Sequence, residues 1–214
     1  MSISEIKKTA KSKMEGHYGE AIKLLVLIII GEAIFSIIDG YIGVSIGFVN
    51  SDGRSAFNLL STLFSVIMSI GSTSFFLKIA RGQEATYKEL IQHKELIIPY
   101  FIITILTGIF VVLWSLLLII PGIIAAFSYS LVLYILLDEP NLDAMDVIKK
   151  SKELMKGNKW KLFCLEISFI GWTILGIFTL GILYLWLAPY MSTSLAVFYD
   201  DIKQRADVNQ QVQA

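Results

Sequence analysis

Apolar residues in this chain come in uninterrupted runs of membrane-crossing length, more than a soluble fold of 214 residues could bury. A helix crosses the hydrocarbon core in about 20 apolar residues. The first run covers 21–43 and is broken by Glu32 and Asp39. The second, 57–79, is rich in Ser and Thr, and the third, 96–120, is closed by Pro121-Gly122. The fourth, 122–137, is short and stops before Asp138-Glu139-Pro140. Residues 162–199 are too long for one span and right for two, 162–178 and 182–199, with Thr179-Leu180-Gly181 as the turn. These runs predict an all-α, polytopic membrane protein of six spans in three hairpins. Composition agrees: 55% of residues are hydrophobic and only 17% charged, against about 25% in soluble domains. The formal charge of zero gives no pull toward nucleic acid, and the single Cys164 cannot form an internal disulfide. The first run reads as a retained helix rather than a cleaved signal, because a long polar segment precedes it and two acids interrupt it.

Lysine and arginine predict the orientation, since loops facing the cytoplasm carry an excess of both. Six spans with both termini inside place 17 of the 18 basic residues on the cytoplasmic side or its interface, leaving only Arg54 on the other. Each hairpin is preceded by a polar stretch with helical apolar spacing: 1–20, 84–95 and 141–158. Residues 200–214 form a cytoplasmic tail. Ser2 with Glu5, and Thr86 with Glu89, are spaced as capping boxes. Lys8, Lys11, Met14, Gly16 and His17 align at constant offset with Lys149, Lys152, Met155, Gly157 and Asn158. Trp114 and Trp172 stand at matching places in the second and third hairpins, and together these features predict a threefold pseudo-repeat. Lys8, Lys11, Lys149, Lys150 and Lys152 are the candidate membrane-surface residues, able to dock the polar helices on an anionic leaflet or simply to satisfy the inside bias.

Ionisable side chains inside a membrane cost ~2.5–3.5 kcal/mol or more, so intramembrane acids are the natural place to look for chemistry. Glu32 sits near the middle of the first span, and Glu166 about one and a half turns into the fifth. Asp39 lies on a face similar to that of Glu32 but near the outer interface. Two carboxyls close together could share a proton or hold a cation. The plainer reading is a hydrogen bond to a hydroxyl of the second span, which offers Ser61, Ser65, Ser69, Ser72, Thr73 and Ser74, or a snorkelling Lys23 or Lys78. The Gly43–Gly47 spacing reads as a loop at the end of the first helix rather than a helix seam. The tryptophans mostly read as interfacial belts. His17 and His93 read as solvated surface residues, and no P-loop, HExxH, GxSxG or paired CxxC is present.

The run Leu113-Trp-Ser-Leu-Leu-Leu-Ile-Ile-Pro-Gly-Ile-Ile with Tyr129-Ser resembles the DUF975 family of bacterial integral membrane proteins. So do Ile148-Lys-Lys-Ser-Lys-Glu-Leu-Met-Lys-Gly-Asn-Lys-Trp-Lys-Leu-Phe, Phe169-Ile-Gly-Trp and Pro189-Tyr-Met-Ser. The resemblance implies a bacterial plasma-membrane setting and supplies no catalytic residues. The expected function is non-catalytic and needs no cofactor: an accessory, scaffold or protective role, such as resistance to membrane-active peptides, through binding of lipid or a partner protein or peptide. The competing expectation is a small ion- or proton-coupled transporter using Glu32 and Glu166.

Overall fold

The computed structural model describes residues 1–45 and 51–213, and among them every regular element is helical. In chain order these are α1 (Ile3–Met14), α2 (Tyr18–Ser45), α3 (Ser51–Ala80), two 3-10 turns (Tyr87–Ile91 and Lys94–Leu96), α4 (Ile97–Leu117), α5 (Ile119–Ser128), α6 (Val132–Asp138), α7 (Ala144–Leu154), α8 (Lys159–Ile167), α9 (Ile170–Phe178) and α10 (Tyr184–Gln213). Among the described residues, five helical segments are long and apolar enough to cross a membrane: Tyr18–Asp39, Phe57–Ala80, Lys94–Leu116, Ile119–Asp138 and Lys159–Phe178. The apolar stretch expected to be the sixth span is the first half of α10, which runs on unbroken through Asp200 and Asp201. Ile98, Leu116, Ile119 and Phe178 are each more than 70% exposed, a surface that water would not tolerate but acyl chains would cover.

Neighbouring helices run antiparallel. Phe35 of α2 stacks near Phe57 and Phe64 of α3, while Leu24 shares a buried cluster with Phe75 and Ile79 at the other end. Phe110 of α4 meets Tyr129 after α5, and the Tyr184 hydroxyl of α10 donates to the Thr173 carbonyl of α9 at 2.8 Å. The main core lies where α3, α4, α6, α7 and α10 meet, around Ile103, Leu131, Ile135, Val147 and Phe198. The reversal at the third hairpin falls where the sequence put it, with Leu180 and Gly181 both at positive φ (51° and 86°).

Several boundaries differ from expectation. The reversal between α4 and α5 occurs at Leu118, whose extended backbone (φ −163°) breaks the helix, and not at Pro121-Gly122. Pro121 sits in the first turn of α5, where a missing N–H costs nothing. The fourth span is two helices, with Tyr129–Leu131 between them, and the fifth breaks at Ser168-Phe169. Residues 84–95 form two short 3-10 turns instead of one amphipathic helix, and Thr86 makes no side-chain cap. Glu89 is drawn inward to Lys78 (2.7 Å) and Ser74 (3.5 Å) and cannot close the box. The Ser2–Glu5 box does form, both bonds present. Arg54's side chain and the Gly43–Gly47 spacing lie outside the described residues.

The polar elements sit on the hairpins. The first 3-10 turn packs on α3 and α2 and the second on α4, α7 packs on α4 and α6, and α1 on α10, α3 and α8. Gly71 makes the first of these contacts possible: a Cβ there would lie 2.3 Å from the Leu90 Cα.

Candidate functional site

A cleft of about 410 Å³ with an uncharged, hydroxyl-rich wall is bounded by α3, α4, the α5–α6 break and α10. From α3 come Ser69, Ser72 and Thr73, and from α4 Tyr100, Thr104 and Thr107. Tyr129 and Ser130 of the break, Tyr134 of α6 and Ser192 of α10 complete its hydroxyl lining, and none of its wall residues is charged. Thr104 and Thr107 donate back to the carbonyls of Tyr100 and Ile103, both at 2.8 Å, leaving their oxygens free to accept. Ser69 Oγ and the Tyr100 hydroxyl bridge α3 and α4 at 3.3 Å. Non-helical backbone at this depth is tolerated where it is buried in protein or lines a cavity, and the Ser128 carbonyl at the break accepts from Ser151 Oγ of α7 at 2.9 Å.

The sequence-predicted acids are placed apart. Glu32 of α2 accepts from Ser65 Oγ of α3 at 2.8 Å. Asp39, further along α2, has its Oδ1 buried and without a hydrogen-bond partner among the described residues. Glu166 is exposed on α8, which packs against α5 and α1 rather than along α2. None of the three lines the hydroxyl cleft. Neither lysine expected to snorkel reaches Glu32: Lys23 pairs with Glu20 (2.7 Å) and Lys78 with Glu89 (2.7 Å).

At the end of the bundle where α3 and α6 finish, charges form two linked latches. Asp138 accepts two hydrogen bonds from Arg81 (2.8 Å each), one from Lys203 (2.6 Å) and one from the Tyr199 hydroxyl (2.9 Å), and Arg81 also reaches Asp200 (2.9 Å). Beside it, Asp201 accepts from the Met1 ammonium (3.0 Å), Lys161 (2.9 Å) and Arg205 (2.9 Å). Burial alone would raise the Asp201 carboxyl, but these three cations outweigh it and hold the group below its ordinary value of 3.8. Among the candidate surface lysines, Lys149 pairs with Asp146 at 3.1 Å and Lys150 with Glu139, while Lys8, Lys11 and Lys152 are exposed. His93 is not a free surface residue as expected: its Nε2 lies 2.9 Å from Ser74 Oγ.

Sequence reasoning missed the cleft. Its signal was present in the Tyr100, Thr104, Thr107 spacing, which puts three hydroxyls on adjacent turns of an otherwise aliphatic helix.

Long exposed apolar helices joined by polar elements define an α-helical membrane protein. The family described as "Protein of unknown function (DUF975)" matches residues 1–124 and 115–206, and the chain belongs to that family. No curated protein and no solved structure matches it.

Proposed function

We propose that this is a non-catalytic protein of the bacterial plasma membrane, with six spans in three hairpins and both termini in the cytoplasm. Its role is accessory, scaffolding or protective, with resistance to membrane-active peptides as the instance tested below, and it works by binding lipid or a partner. The observation that carries this reading is the hydroxyl-lined cleft. Ser, Thr and Tyr side chains around an uncharged cavity offer hydrogen bonds and aromatic faces to a polar, neutral group such as a peptide backbone or a lipid glycerol region. Proton or ion coupling through Glu32 and Glu166 would ask the two acids to work together, and they stand on helices that do not pack along each other. The three-unit reading is supported by the packing of each polar element against the long helices of the bundle. The C-terminal ends of α1 and α7 add to it. Both helices are followed by a glycine at positive φ, Gly16 (86°) and Gly157 (82°), and both place a fully buried methionine just before it, Met14 and Met155.

A strain lacking the protein, challenged with a cationic membrane-active peptide, tests the reading. Wild type and the pair E32Q/E166Q are expected to restore survival equally. A cleft variant, S72V/T73V/S192A, is expected to reach the membrane and fail to protect. If the carboxamide pair loses protection while the cleft variant retains it, the transporter reading replaces this one.

A further inference from the structure

Several lysines at the basic end have an acid beside them. Lys78 has Glu89, Lys149 has Asp146, Lys150 has Glu139, Lys161 has Asp201 and Lys203 has Asp138. The ammonium of Lys7 is held differently. It donates to Ser168 Oγ at 3.1 Å and to the Ser168 carbonyl at 3.3 Å, and it lies 4.2 Å from the centroid of the Phe169 ring. A carbonyl, a hydroxyl and an aromatic face orient a cation at the C-terminal end of α8, but none of them carries a full negative charge. Lys11 is one turn further along the same face of α1.

Both lysines open onto a groove of about 360 Å³ between α1, the start of α2, α9 and α10, and no acid lines it. Its chemistry changes along its length. Lys7 and Lys11 stand at one end with Tyr18 and Tyr190, whose hydroxyl donates to the Lys7 carbonyl at 3.2 Å. Trp172 of α9 lines it beyond them, and from Tyr190 the chain adds Leu187, Trp186 and Leu183 in turn, with both indoles half exposed; Tyr190 to Leu183 covers about 10 Å. Two cations at one end and a mixed aromatic and aliphatic wall along the rest match a phosphate with its glycerol ester and upper acyl chain.

We infer that this groove is a binding site for an anionic glycerophospholipid, with the phosphate on Lys7 and Lys11 and the upper acyl chain along Trp172, Trp186 and Leu187. A zwitterionic headgroup would bring its own ammonium into a groove that already holds two. On the surface that Lys149 and Lys150 share, the acids Asp146, Glu153 and Asp207 stand among the cations, whereas no acid lines the Lys7–Lys11 groove. The inference deepens the lipid-binding part of the proposed function and rests on it. It is read without the peptide-protection assay, so a lipid result against it leaves the cleft's role to be judged by survival alone.

The test uses the full chain in phosphatidylcholine nanodiscs containing a minor fraction of brominated-chain phosphatidylglycerol, since bromine quenches tryptophan on contact. Quenching is expected to exceed that from the same fraction of brominated phosphatidylcholine, and the excess to vanish in W172F/W186F. K11Q is expected to weaken the excess by about tenfold in apparent affinity. It leaves the Lys7–Ser168 contacts in place, so a loss there is not a folding loss. K149Q is expected to change nothing. Equal quenching by the two lipids, an excess untouched by K11Q, or one abolished equally by K149Q would overturn the site. So would displacement of the excess by inorganic phosphate alone, which would make it a free-anion site.

Discussion

Asp201 shows how much one side chain is asked to do in this bundle. Its carboxylate is nearly buried and joins the N-terminus, the start of α8 and the next turn of α10 through three cations. Because the folded group titrates below its ordinary value of 3.8, its contribution to stability is present above that value. It is lost as pH falls through the depressed one. Thermal unfolding in nanodiscs, followed by tryptophan fluorescence, is therefore expected to weaken steeply only below about pH 4. D201N should lower stability at neutral pH by ~1–3 kcal/mol and flatten that acid limb. A variant whose acid limb matched wild type would remove Asp201 from this role. Of these partnerships only Arg205 with Asp201, an i,i+4 pair, falls within a local spacing rule readable in the sequence. Lys161 and Lys203 appeared there only as members of the inside excess, and their acids lie 40 and 65 residues away, beyond any local spacing rule. The Ser2–Glu5 box was legible because both partners sit within one helical turn.

At the level of elements, the long helices followed from apolar run length, and the third reversal from Leu180-Gly181. The breaks inside the fourth and fifth spans did not. Neither Tyr129–Leu131 nor Ser168-Phe169 contains the Gly or Pro that marks a helix end in sequence. Each is stabilised from outside, the first by Ser151 of α7 and the second by Lys7 of α1, 23 and 161 residues distant. The polar helices therefore do more than lie on a surface, because each supplies a hydrogen-bond donor to the broken span it covers. S151A removes the donor and leaves the Ser128 carbonyl buried without its side-chain partner. The expected cost is ~1–3 kcal/mol of stability, with faster amide exchange confined to the α5–α6 junction. Uniform exchange, or none, would mean that the break holds itself.

The whole molecule is organised by which ends meet. Met1 and Lys161 both reach Asp201, Arg81 reaches Asp138 and Asp200, and Lys203 reaches Asp138. The N-terminus, the end of α3, the end of α6, the start of α8 and the middle of α10 therefore share one end of the bundle. If each passage along the bundle crosses the membrane, an even number of crossings separates any two of them. Between the end of α3 and the end of α6 the chain goes out through α4 and returns through α5 and α6. Between Lys161 and Asp201 it goes out through α8 and α9, so the apolar half of α10 has to carry it back. Its sixteen uncharged residues, Tyr184–Tyr199, span about 24 Å, short of a full bilayer core but within reach of local thinning. This bears directly on topology, which we expect to be six spans with both termini inside. With Cys164 replaced by alanine, single cysteines at Ser2, Asn141 and Gln204 should react with an impermeant maleimide only after cells are opened. One at Thr179 should react in intact cells. Labelling of Gln204 from outside, with Ser2 protected, would mean an odd number of crossings and would break the latch geometry between Met1 and Asp201.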